Sequence, residues 1–437
     1  MNDPATPATL KPTLGPWQLW AIAVGLVISG EYFGWNYGWA AAGPVGFLVA
    51  TLLVTVLYVT FVLSFTELST AIPQAGGPFA YASRAFGPLG GLAAGYATLV
   101  EFLLTPPAIA FALGSYAHFL WAALPVQGTA LGCYVAFTLL NLLGIKESAT
   151  FALVVTVLAV AELLVFMGLL APHFQVANFL AHPVPVRAAG VLAALPFAIW
   201  FYLAIEGVAL VAEDVKQPQR TIPRGYGYGL GTLLVLALGV LVLTGGATDW
   251  RALSHLDYPL PEALRRVLGP ASPWTKFFAS IGLFGLVASF HGTIIGYSRQ
   301  LFALARAGYL PAALARLNGR GAPHWALVAG ALVGGVAIGT GTTDQVITLA
   351  VLGAVVLYAI SLLSLFALRR REPGLARPFR VPGYPLVPLV ALGLTLLSLG
   401  TIAYYNPLLS GVFVGGLGLA LGAYKLVGRR MVKAQAL

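Results

Sequence analysis

The sequence is a succession of apolar runs, each about 20 residues long, joined by short polar segments. That length is what an α-helix needs to cross the ~30 Å hydrocarbon core of a bilayer. Lipid offers the backbone no hydrogen-bond partner, so runs of this kind become helices and not open strands. Twelve spans are expected, at roughly 17–41, 45–71, 88–120, 126–145, 148–171, 188–212, 225–246, 275–306, 324–341, 344–368, 385–405 and 408–427. Only 9% of the 437 residues are charged, against about 25% in a soluble protein. The composition points to a polytopic helical membrane protein and excludes a soluble globular class.

The net charge of +10 is accounted for by topology, without a nucleic-acid partner. Arg84, Lys146, Lys216, Arg220, Arg224, Arg299, Arg306, Arg316, Arg320, Arg369, Arg370, Arg371, Arg377 and Arg380 fall in alternate joints, with Lys11, Lys425, Arg429, Arg430 and Lys433 in the two tails. The opposite side holds Arg187, Arg251, Arg265, Arg266 and Lys276. Nineteen basic residues against five place both termini in the cytoplasm by the positive-inside rule. Residues 1–16 read as a disordered cytoplasmic tail, 17–427 as one transmembrane domain and 428–437 as a second cytoplasmic tail. The external segment 247–274 contains "YPLPEALRRVLG", read as a short helix over the mouth. The single Cys133 allows no intramolecular disulfide.

Two spans are interrupted at corresponding places. The first breaks at Ser29, Gly30 and Glu31, and the sixth, "LPFAIWFYLAIEGVALVAED", carries Glu206 and Gly207 in its middle. They become equivalent if repeat one covers about 17–171 and repeat two about 188–368, with additional helices over about 385–427. Paired interrupted helices in two halves point to a transporter site at the midplane.

Two longer motifs carry a resemblance. "FTELSTAIPQAGGPFAYASRAFGPLGG" (65–91) and "IEGVALVAEDVKQPQRTIPRG" (205–225) are similar to the second- and sixth-span signatures of the amino acid–polyamine–organocation (APC) transporter superfamily, over about residues 15–430. "GPWQLWAIAVGLVISGEYFGWNYG" most resembles its ethanolamine permease branch. The resemblance implies an all-α membrane protein with the inverted five-plus-five (LeuT-like) repeat, broken helices 1 and 6, and alternating access. It also implies a gating aromatic at Trp200 and a proton-linked gate at Glu206. Amino-acid carriers of the superfamily have an apolar residue where this chain has Glu31, and a carboxylate there would repel a substrate carboxylate. Where some proton-coupled members carry a span-five Lys, this chain has Ala159, with Glu162 one turn later.

An ionisable side chain at a span centre costs at least ~2.5 kcal/mol, which makes Glu31, Glu101, Glu162 and Glu206 functional candidates. No Lys or Arg lies deep in a span to neutralise them. Glu31 and Glu206 are read as substrate counter-charges or, alternatively, as caps on freed backbone amides. Glu101, in "YATLVEFLLTPPAIA", either lines the cavity or bonds backbone loosened by Pro106 and Pro107. Tyr32, Phe33, Trp35, Trp200 and Tyr202 can cage an ammonium through ring faces, at about 0.5–2 kcal/mol each, or simply pack. Tyr37 and Trp39 read as interfacial anchors.

Glu162, Glu206, Ser289, His291 and Thr293 are the coupling or gating candidates. Ser289 and Thr293 fall where sodium-coupled relatives place hydroxyl ligands, and His291 reads otherwise as a packing residue. "GYGYGLG" (225–231) lacks the Lys and the strand of a phosphate loop, so its glycines, like Gly91 and Gly95, are assigned to close helix packing. No metal or cofactor is expected, and no catalytic constellation is visible. The reading is a plasma-membrane secondary transporter importing a small organic amine, ethanolamine first, with a coupled proton or sodium ion left open. The alternatives are an amino-acid or polyamine permease of the same superfamily, and, from other classes, a multi-pass membrane enzyme or a cation channel.

Overall fold

A computed structural model describes residues 14–74, 76–143, 149–180 and 185–428. Lys11, Lys146, Arg429, Arg430 and Lys433 of the charge argument lie outside these residues. The described chain is helical throughout, with one isolated bridge between Leu14 and Val215 in place of any sheet. The helices are α1 (Pro16–Val27), α2 (Ser29–Tyr32), α3 (Tyr37–Ala71), α4 (Pro78–Leu120), α5 (Val126–Leu142), α6 (Ala149–Leu170), α7 (Val176–Leu180), α8 (Ala188–Ala193) and α9 (Leu195–Trp200). They continue as α10 (Pro218–Ala247), α11 (Pro259–Leu268), α12 (Pro273–Arg306), α13 (His324–Thr340), α14 (Thr343–Arg371), α15 (Leu386–Tyr405) and α16 (Pro407–Ala423). A 3₁₀ helix, Ile205–Asp214, follows α9.

Among the described residues, nine helical stretches are long and apolar enough to span a bilayer, and α1, α5 and α13 are shorter apolar helices. Proline opens many of them (Pro16, Pro78, Pro218, Pro259, Pro273, Pro407), where its missing N–H is lost anyway and its fixed φ suits a first turn. Two glycines turn the chain inside long helices. Gly43 (φ +65) precedes Pro44, and Gly87 (φ +75) precedes Pro88. Left-handed backbone suits glycine, and the following proline disfavours helical geometry before it. These hinges fall at the expected starts of the second and third spans.

Of the segment read as a tail, 1–16, only residues 14–16 are described, and these are packed. Leu14 is buried, its N–H donates to the Asp214 carbonyl at 3.0 Å, and its carbonyl accepts from the Lys216 N–H at 2.9 Å. This ties the chain start to the end of the Ile205–Asp214 helix.

The core sits where α4 packs along α14, the most extensive helix pair. Gly353 allows it: a Cβ there would meet the Ala97 carbonyl oxygen at 2.7 Å and the Glu101 nitrogen at 2.8 Å. Gly225 and Gly229 similarly let α10 close on Leu19 and Ala23 of α1, whereas Gly227 and Gly231 face open space. One face of "GYGYGLG" therefore serves the packing expected of the whole motif. On the side bearing most basic residues, buried Glu67 ends α3 and accepts from Arg369 (2.6 and 2.8 Å) and from the Val381 N–H (2.7 Å), with Arg377 3.3 Å away. The outer faces of α15 and α16 expose Leu396, Leu408, Val414 and Leu419, surface suited to lipid.

Candidate functional site

Both interrupted spans are present, but the first interruption falls a few residues after the expected place and the sixth-span interruption a few residues before it. Ser29, Gly30 and Glu31 form one helical turn in α2, and the regular helix is interrupted by a turn over residues 33–36, with Phe33 extended and Gly34 at φ +89. In the sixth span the break covers 201–204, where Ala204 adopts φ +74, and Glu206 lies in the first turn of the 3₁₀ helix beyond it. The two breaks touch. A Cβ on Gly30 would overlap the Trp200 carbonyl oxygen, and a Cβ on Gly34 would strike the Trp200 indole.

A broken helix frees carbonyls that lipid cannot satisfy. Aromatic side chains satisfy three in succession. Trp35 Nε1 donates to the Glu31 carbonyl at 3.1 Å, the Tyr116 hydroxyl to the Tyr32 carbonyl at 3.1 Å, and Trp200 Nε1 to the Phe33 carbonyl at 3.0 Å. Trp200 also meets Phe33 edge-on with ring centres 5.5 Å apart, and Trp35 stacks on Phe201 at 5.6 Å. Such pairs contribute about 0.5–1.5 kcal/mol each. The aromatic density of the breaks thus holds the unwound backbone, as well as offering rings to a ligand.

The acids are all inside. Glu31, Glu101 and Glu206 are buried with at most 1% of their surface exposed, and Glu162 with 7%. Neither oxygen of Glu31 has a hydrogen-bond partner, so Glu31 does not cap α2. It lies within electrostatic reach of Tyr32 and Tyr202. The Tyr202 hydroxyl is 2.9 Å from the Thr55 hydroxyl. Glu206 Oε2 accepts from the Tyr358 hydroxyl at 3.0 Å, and Tyr358 lies 2.9 Å from the Tyr58 hydroxyl. Neither Glu101 oxygen meets a well-aligned donor. The polar groups approaching it are the Glu206 carboxyl and the Ala204 N–H. The Thr105 hydroxyl donates to the Glu101 carbonyl at 2.7 Å, within the turn ahead of Pro106 and Pro107. Glu162 stands apart from this pair and accepts from the Tyr32 hydroxyl at 2.8 Å.

The remaining candidates divide. Ser29 and Ser289 share a hydrogen bond of 2.8 Å, and Ser289 also lies 2.8 Å from the Leu26 carbonyl, which joins α12 to the first span. Thr293 spends its hydroxyl on the Ser289 and Phe290 carbonyls of its own helix. His291 faces α5, 3.3 Å from Asn141 and edge-on to Phe137, and is not brought to the breaks. Tyr37 and Trp39 are not interfacial anchors. Trp39 is fully buried, and the Tyr37 hydroxyl donates to Asp257 at 2.6 Å, because the 247–274 segment folds back over the first break. Asn36 closes that cover: its amide donates to the Leu253 and Leu256 carbonyls at 2.6 and 2.8 Å, and its Oδ1 accepts the Gly34 N–H at 3.0 Å. α11 forms the short helix expected within 247–274.

Sequence reasoning missed Asn36, Thr55, Tyr58, Tyr116 and Tyr358. A signal was present for two. "VLYVTF" (56–61) and "VLYAIS" (356–361) each set one phenol in an aliphatic run, and a buried tyrosine hydroxyl needs a partner.

No group of three or more metal-ligating side chains occurs among the described residues. The arrangement suits binding of a small solute: two touching breaks, clustered carboxyls and a cover formed by the 247–274 segment. The chain is 28% identical over 415 residues to an uncharacterized transporter of Rhizobium meliloti, covering 92% of this chain and 87% of that one. It is 24% identical over 411 residues to the branched-chain amino acid permease BcaP of Bacillus subtilis (88% and 86%) and 26% over 428 residues to the methylthioribose transporter of the same organism (89% and 88%). None of these three names ethanolamine, and the finer resemblance to that branch has no support in them. The amino acid permease family profile matches residues 14–412. This multi-pass helical chain therefore belongs to the amino acid permease family of the APC superfamily, whose members are transporters of small solutes and not enzymes.

Proposed function

We propose that the chain imports a small organic amine, with ethanolamine the first candidate, by alternating access around the touching breaks. The observation that carries this reading is Glu31, fully buried, with both oxygens unpartnered, beside Tyr32 and Tyr202. A buried carboxylate left unpaired is costly, and a substrate ammonium is the partner that would come and go. Trp200 and Tyr202 then face the cation, and the freed backbone of the breaks meets its hydroxyl. Glu101 and Glu206 form an acidic pair apart from Glu31. Two neighbouring carboxyls favour holding one proton between them, which supports proton coupling through Glu206. In this reading the nine long stretches with α1, α5 and α13 make twelve spans. The first ten form the inverted repeat, α15 and α16 are additions, and both termini lie in the cytoplasm of the plasma membrane.

A second reading is an amino-acid permease, favoured by the relatives named for branched-chain amino acids. An amino acid offers the same ammonium to Glu31 and adds a carboxylate, which that acid repels. A thermal-shift panel on purified protein separates the two. Stabilisation by ethanolamine and not by leucine or valine is expected, and the reverse order would replace the amine by the amino acid. Reporter fusions at the C-terminus and near Lys216 should read cytoplasmic, and one near Asp257 external.

A further inference from the structure

Glu162 belongs to neither break. It projects from α6 on the same buried side as Ala159, Leu163 and Phe166, while Leu164 and Val165 face outward. Its Oε2 accepts from Tyr32, and its Oε1 is buried without a partner. Oε1 points at α12, where a Cβ on Gly282 would lie 3.1 Å from it. Gly285, one turn on, leaves room for the Tyr32 ring, since a Cβ there would lie 2.8 Å from the Tyr32 hydroxyl.

The Tyr32 hydroxyl has one hydrogen to donate and two acceptors in reach: Glu162 Oε2 at 2.8 Å and the Ala159 carbonyl at 3.3 Å. One acceptor titrates and the other does not. We propose that Glu162 is a proton-binding site separate from the helix breaks, and that the Tyr32 hydroxyl reads its state. With Glu162 ionised, Tyr32 donates to Oε2. When Glu162 takes a proton from water, its new O–H donates to the Tyr32 oxygen, and the Tyr32 O–H turns to the Ala159 carbonyl. The protein gains one proton and one positive charge, and no other bond is made or broken.

Tyr32 ends α2, and its carbonyl is one of the three that aromatic donors hold in the first break. The proton state on α6 is thus felt where the first span unwinds. The titratable groups facing Glu162 are Tyr32 and Tyr116. α1 carries no ionisable side chain, and α10 carries its own near its start. At α11, Glu262 is already paired with Arg265 and Arg266. The inference is independent of the substrate assigned above.

The test is infrared spectroscopy of the full-length protein in liposomes, following the carboxyl C=O stretch as pH is varied. Glu162→Gln should delete one titrating step that persists in Glu31→Gln. Tyr32→Phe removes a donor to the ionised form and should move that step upward by about one to two pH units. If Glu162→Gln does not fold, Glu162→Asp serves, since it keeps a carboxyl but withdraws it from Tyr32, and its step should also move upward. A full set of steps in Glu162→Gln, an unmoved midpoint in Tyr32→Phe or Glu162→Asp, or removal of the step by sodium at fixed pH would each overturn the proposal.

Discussion

Gly30 of the first broken span lies directly against the Trp200 carbonyl of the sixth, with no space for a Cβ between them. The backbone of Gly30 is helical, so the demand is for close approach and not for unusual dihedrals. Gly30→Ala should push the breaks apart. Overpacking of this kind costs about 1–3 kcal/mol, read as a lower thermal unfolding temperature together with weakened ligand stabilisation. Gly415→Ala, in α16 with nothing within 4 Å of a new Cβ, is the control and should melt as the wild type does. Equal behaviour of the two variants would mean that the breaks do not need their contact.

Glu31→Gln keeps shape and hydrogen-bonding capacity while removing the charge. If the carboxylate pairs with an ammonium, calorimetric titration of ethanolamine should show binding weaker by roughly 1.5–3 kcal/mol, or about 10- to 150-fold. A folded variant that binds within about threefold of wild type would end the counter-charge role and favour the amino-acid reading.

Glu206→Gln can still accept the Tyr358 hydroxyl but cannot share a proton with Glu101. Uptake into liposomes by this variant should lose most of its pH dependence while substrate binding stays measurable. An active variant with the wild-type pH profile would remove Glu206 from coupling.

Asp257 anchors the cover over the first break through Tyr37 and Thr343. Burial raises its carboxyl above the ordinary 3.8, and the two hydroxyl donors partly oppose that rise. An acid raised on folding adds stability that is fully present below its unfolded value and is lost as pH climbs through the folded one. Asp257→Asn should therefore flatten the part of the stability profile that falls above pH 3.8. A steeper fall in the variant, measured by melting at stepped pH, would show that the ionised form holds the cover.

Much of this protein is decided locally. Runs of about 20 apolar residues must become helices because lipid leaves backbone groups no other partner. The Gly-Pro pairs at 43–44 and 87–88 mark where those helices turn, since each residue restricts its own stretch of chain. The cost of a buried carboxylate makes Glu31, Glu101, Glu162 and Glu206 visible in the sequence as candidates before any contact is known.

What those acids meet was decided only by tertiary structure. Tyr58 and Tyr358 are 300 residues apart in sequence, yet they join in one hydrogen-bonded chain to Glu206. Tyr32 finds Glu162 from 130 residues away, and Asn36 closes the first break on the carbonyls of Leu253 and Leu256. The breaks themselves fall a few residues away from the acidic residues that announced them, after Glu31 in the first span and before Glu206 in the sixth. Their places are set by where Gly30 and Gly34 can lie against Trp200, and by which carbonyls the surrounding indole and phenol donors can reach. Local sequence records that a helix can be interrupted; the position of the interruption depends on partners brought to it by the packing of distant helices.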